Sequence, residues 1–166
     1  MSRGIRAVAV ITAAAALALA ACGGSSGPSK ADYSAKANTI CKSVVTQTAP
    51  LINQLKGSIT SLVTGGGAGV KAAATGVARL HTIAAADLAK LKALAQPSGD
   101  HAAIQKFLTP LTSVVKAIGQ AASSLAKGSV TGALLLLQQV QPLVGQVTSA
   151  AHAYGLGKCS QILALG

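Results

Sequence analysis

Residues 100–129 read DHAAIQKFLTPLTSVVKAIGQAASSLAKGS, and the spacing in this stretch decides the fold. Ile104, Phe107, Leu111, Val114, Ile118, Ala121 and Leu125 recur at steps of three and four. That period lines one face of an α-helix with apolar side chains and leaves the other face to water. Asp100 stands just before this pattern and Ser129 just before the next, each a favoured N-cap type. The stretch is bounded by Pro97-Ser98-Gly99 on one side and Lys127-Gly128-Ser129 on the other. It therefore predicts one long amphipathic helix between two turns.

The same reading extends outward. A third break, Gly65-Gly66-Gly67, divides the chain from Ala31 onward into four segments of about 26–34 residues. Tyr33, Ala37, Ile40, Val44, Leu51, Leu55, Ile59 and Leu62 carry the apolar stripe of the first segment, and Val70, Val77, Leu80, Ala84, Leu88, Leu91 and Ala95 that of the second. In the last, Leu134, Leu137, Gln141, Val144, Val147, Ala151 and Tyr154 take the stripe positions, and Gly155 stands where a glycine C-cap belongs. Gln141 is placed to hydrogen-bond within the core. No stretch alternates apolar and polar residues long enough to suggest a sheet. Pro50, Pro110 and Pro142 fall inside apparent helices and are expected to kink or split them, with Pro50, after the polar run Thr46-Gln47-Thr48, the expected true break. Short connections between long helices favour antiparallel neighbours. The expected fold is all-α, an up-down-up-down four-helix bundle over residues 31–166.

Residues 1–21 have the composition of an export signal. Arg3 and Arg6 precede an apolar run from Ala7 to Ala18, too short to span a bilayer core that needs about 20 apolar residues. The following Leu19-Ala20-Ala21-Cys22 resembles the lipobox of bacterial lipoproteins. That resemblance implies that Cys22 is acylated and becomes the first residue of the mature chain; the alternative is an ordinary secretory signal with a cysteine at its end. Residues 22–30 then supply the anchor and a Gly/Ser tether, Gly23 to Ser29, whose typical reach is ~15 Å. An acylated cysteine followed by a tether places the domain on the outer face of the cell membrane, since acyl chains stabilise anchoring by ~0.8 kcal/mol per buried methylene.

Charge and composition narrow the function. The chain of 166 residues has 14 Lys+Arg against 3 Asp+Glu, and loss of residues 1–21 takes its formal charge from +11 to +9. Such a balance suits anionic lipid, an anionic envelope polymer, or a simply well-solvated surface. Nucleic acid is excluded as a partner, because the exported part keeps one arginine, Arg79, has singly scattered lysines and offers no aromatic platform for stacking. Asp32, Asp87 and Asp100 are the only carboxylates. Together with the absence of a nucleophile elbow or a phosphate-binding loop in the glycine run before Lys71, this argues against an enzyme and against a bound cofactor.

Cys41 and Cys159 remain once Cys22 is set aside. Exported domains most often join such a pair, and in an up-down bundle the two positions share one end. Free thiols and a metal site are the rival readings. His81, His101 and His152 stand too far apart for ligand spacing. Tyr33, Phe107 and Tyr154 sit on apolar stripes and are assigned to the core. The frame of lipobox, tether, Ala37-Asn38-Thr39-Ile40-Cys41 and Tyr154-Gly155-Leu156-Gly157-Lys158-Cys159 is similar to small exported helical lipoproteins of high-GC Gram-positive bacteria. It implies location and architecture, and no reaction. Two non-enzymatic roles stay open: a helical surface for an envelope polymer or protein, and a carrier or sensor of a small apolar molecule held between the helices.

Overall fold

The computed structural model describes residues 27–64 and 67–161, with the backbone alone described for 59–64. Four long helices follow one another: α1 (Lys30–Thr64), α2 (Gly67–Ala93), α3 (His101–Ala126) and α4 (Val130–Tyr154). A single-turn helix, α5 (Gly157–Gln161), closes the described chain. Among the described residues there is no strand. Each long helix packs on its neighbour in sequence, most extensively α3 on α4, and α5 packs against both α4 and α1. The expected signal peptide, the Cys22 anchor, most of the tether and Gly65-Gly66 lie outside the described residues.

Local chemistry explains three of the helix ends. At the start of α1, Ser29 and Asp32 form a reciprocal pair: Ser29 Oγ accepts from Asp32 N (3.1 Å), while Asp32 Oδ2 accepts from Ser29 N (3.3 Å) and Ser29 Oγ (2.6 Å). This is the capping-box arrangement with Asp in the acidic position, and the Ser29 hydroxyl and amide hold the Asp32 carboxyl below its usual range. Ser129 caps α4 as expected, its Oγ accepting from Gly132 N (3.3 Å). Gly155 ends α4 with φ 90°, and Leu156 N donates back to Ala151 O (2.8 Å). That backbone turn needs glycine, and it drives Leu156 into the core, fully buried.

Several expectations need correction. α1 runs unbroken through Pro50, and α3 and α4 run through Pro110 and Pro142. A proline costs a helix one hydrogen bond, but buried Val44, Thr48 and Leu51 continue one stripe across Pro50, so tertiary packing outweighs the local loss. Asp100 occupies the N-cap position of α3 without any side-chain capping bond; its carboxylate is used elsewhere, as described below. In α4 the buried phase is Ala133, Val140, Val147, Ala151 and Tyr154. Leu134 and Leu137 are instead 55% and 43% exposed, and Gln141 faces solvent. Four consecutive leucines cover the whole circumference of a helix, so they give the apolar pattern no phase. Ala95 lies past the end of α2 and is exposed.

The core is graded along the bundle. A large cluster holds Tyr33, Phe107, Tyr154, Leu91, Ile104, Leu156 and both cysteines. A smaller one, built mostly of alanine, joins Ala73, Ala74, Ala121, Leu125 and Ala133. Small side chains remove less apolar area from water, so most of the hydrophobic stabilisation resides in the aromatic part.

Candidate functional site

Two features of the structure combine polar chemistry with burial. The first is a clasp that brings together the two sequence stretches surrounding Cys41 and Cys159. These cysteines are at disulfide distance, with S–S 2.03 Å and Cα–Cα 4.9 Å. One turn before Cys41, Asn38 reaches across to the α4–α5 corner. Its Nδ2 donates to Gly155 O (3.2 Å) and its Oδ1 accepts from Lys158 N (2.9 Å), so one side chain satisfies both the exposed end of α4 and the open start of α5. Tyr33 meets Tyr154 edge-to-face with ring centroids 5.8 Å apart, and Lys30 Nζ lies 4.6 Å from the Tyr154 ring centroid. Tyr154 OH donates to Asp100 Oδ2 (2.6 Å). Burial, then the hydrogen bond and charge of Asp100, raise the Tyr154 phenol well above its ordinary value. Burial alone raises Tyr33, whose hydroxyl is buried without a hydrogen-bond partner among the described residues. Apart from that hydroxyl, the polar groups named here all make contacts within the clasp.

The second feature is a cavity of about 130 Å³ between α1, α2 and α3. Val44 and Thr48 of α1, Asp87 and Leu91 of α2, and Val114 and Ile118 of α3 are among its lining residues. Its wall is almost wholly apolar. Thr48 Oγ1 donates to Val44 O (2.9 Å), so its proton is already committed. Asp87 is the exception to the apolar wall: its side chain is 3% exposed, and Oδ1 is 2.5 Å from Lys90 Nζ, whose own side chain is 59% exposed. Lys90 thus reaches inward from the surface to a buried carboxylate, an arrangement that offsets part of the cost of burying the charge. Among the described residues Asp87 Oδ2 takes no hydrogen bond. A benzene-sized molecule occupies an engineered apolar cavity of ~150 Å³, so this one is of the size for a small ring or short branched chain.

The sequence-derived candidates fall as follows. Cys41 and Cys159 are brought together; Cys22 lies outside the described residues. His101 Nδ1 is 2.8 Å from Gln96 Oε1, His81 packs at α3 beside Gly119, and His152 is exposed. Among the described residues no group of His, Cys, Asp and Glu could hold a metal ion, and no described helix is long and apolar enough to cross a membrane. The three carboxylates stand apart, on Ser29, Lys90 and Tyr154 respectively. Sequence reasoning did not find Asn38 as a clip or Asp87 as a cavity residue. The position of Asp87 was a usable signal: it lies one residue before Leu88, on the buried side of α2. Compared with protein-family models, curated proteins and solved structures, the chain shows no significant match to any of them.

Proposed function

We propose that this chain is an exported, lipid-anchored helical bundle that binds a small apolar molecule between its helices at the outer face of the cell membrane, and that it is not an enzyme. The cavity between α1, α2 and α3 carries the reading: it is apolar, of ligand size and lined in part by residues of the larger buried cluster. The lipobox-like Leu19-Ala20-Ala21-Cys22 supports the anchor. The separate commitments of Asp32, Asp87 and Asp100 support a binding role over acid–base chemistry, which draws on paired carboxylates or another poised base. An up-down-up-down topology is part of the proposal. In its favour, each helix packs on its neighbour in sequence, and the start of α1, the start of α3 and the end of α4 meet at Tyr33, Asp100 and Tyr154.

A second reading has its own observation. Leu134, Leu135 and Leu137 are exposed on α4, a surface that could serve an envelope protein or polymer as a contact. A native mass spectrum of the protein extracted from its own membrane separates these readings. The expected mass is that of Cys22 onward with acyl chains and without two hydrogens for the cystine, plus a small molecule that leaves on activation. An unacylated chain would overturn the anchor. A clean, ligand-free mass, with no thermal stabilisation by added small apolar compounds, would overturn the cavity reading and leave the α4 surface.

A further inference from the structure

We infer that the cavity selects a neutral apolar molecule carrying one hydrogen-bond donor, a small alcohol or phenol, and that Asp87 is the residue that recognises it. The inference rests on the cavity-binding reading above and names the chemistry that the wall asks for.

The donors and acceptors in the wall set the chemistry of the occupant. Two polar side chains line the cavity, Thr48 and Asp87. The Thr48 hydroxyl gives its proton to Val44 O at 2.9 Å, so toward any third group it can only accept. Asp87 accepts only, being a carboxylate; Oδ1 is taken by Lys90 at 2.5 Å, and Oδ2 takes no hydrogen bond among the described residues. An occupant with a donor bonds an acceptor that no described group fills, and a pure hydrocarbon does not. Charge decides what kind of donor. Lys90 already neutralises Asp87, so a second cation would have to displace Lys90 or share the carboxylate with it, while losing its own hydration in an apolar cavity. An anion would meet the carboxylate directly. A neutral hydroxyl avoids both costs. Ile52 and Leu80 line the cavity and are themselves only half-buried.

Phenol and toluene are near-isosteres that differ in the donor, and benzylamine adds a cation. Binding of each to the protein purified from its own membrane is measured by titration calorimetry, for the native chain and for Asp87→Leu, a near-isosteric apolar replacement. Phenol is expected to bind about 10- to 100-fold more tightly than toluene, the effect of one hydrogen bond to a charged acceptor, and more tightly than benzylamine. In Asp87→Leu that preference should vanish while toluene still binds. Should that variant not fold, the comparison within the native chain decides alone. Equal affinities for phenol and toluene would overturn the inference but leave the apolar-ligand reading standing, and tighter benzylamine would replace the neutral donor by a cation. A phenol preference that survives in Asp87→Leu removes Asp87 from the role. If none of the three binds, both the inference and the reading beneath it fail.

Discussion

Tyr33 and Tyr154 touch one another and yet respond oppositely to the same loss of a hydroxyl. Tyr33 OH is buried with no partner among the described residues, and an unmet buried hydroxyl costs on the order of 1–3 kcal/mol. Tyr33→Phe is therefore expected to raise stability by about 1 kcal/mol, read as a higher urea midpoint with unchanged slope. Tyr154→Phe removes the bond to Asp100 and should lower stability by about 1–2 kcal/mol, the range for a bond to a charged acceptor with some solvent access. The two phenols also set an alkaline limit. Both have folded-state values above their ordinary value of 10.0, so above pH ~10 the unfolded chain loses these protons first. Their contribution is complete below pH ~10 and disappears as pH rises through the raised folded values. Thermal midpoints measured from about pH 8 upward should hold level and then fall, and Tyr33→Phe should make the fall shallower; an identical fall in that variant would show that other groups cause it.

Among the helices, glycine and proline separate what the sequence displays from what only packing decides. A Cβ added at Gly145 of α4 would meet nothing within 4 Å, whereas one at Gly119 of α3 would stand 2.7 Å from His81 Nε2. Gly145→Ala is expected to add about 0.5–1 kcal/mol from helix propensity. Gly119→Ala should show no such gain, because His81 must be pushed aside; circular-dichroism melts of the two variants make the comparison. Pro142, exposed within α4, should likewise yield about 1 kcal/mol or more when replaced by alanine. The α3 stripe was legible because its large side chains repeat in one phase: Ile104, Phe107, Val114 and Leu125 are all buried. In α4 the later part of the stripe, Val147, Ala151 and Tyr154, was legible in the same way, but its start was not, because the leucine run gives no phase and Ala133 decides it. The continuity of α1 through Pro50 was hidden for a similar reason, since propensity is local and the stripe that overrides it is tertiary. The cysteine pair was legible from the expected export and the expected topology together. The cavity was not, because its size depends on how three helices settle and no residue type announces a gap.

At the scale of the molecule, most of the large buried side chains gather near the clasp, while the other cluster is mainly alanine. A core with such a gradient leans on covalent help. The bridge closes a loop of sequence separation 118, for which chain-entropy estimates give ~4–5 kcal/mol. Replacing both Cys41 and Cys159 by alanine should therefore lower the unfolding free energy, measured by urea titration, by most of that amount. Asn38, which clips the same corner, should lose much of its own effect once the pair is gone, and a double-mutant cycle between Asn38→Ala and the cysteine pair would report that coupling.

The bridge also gives the molecule a topology of its own. Between residues 41 and 159 the chain is a closed ring, and the turns at Pro97–Gly99 and Lys127–Ser129 both lie on it. A peptidase that cuts either turn opens the ring but frees no fragment, since each piece is still tied to the other through the cystine. A bundle nicked in this way keeps every residue and separates into two bands only after reduction, so a protease can wound the protein without detaching any part of it from residue 30 and whatever precedes it.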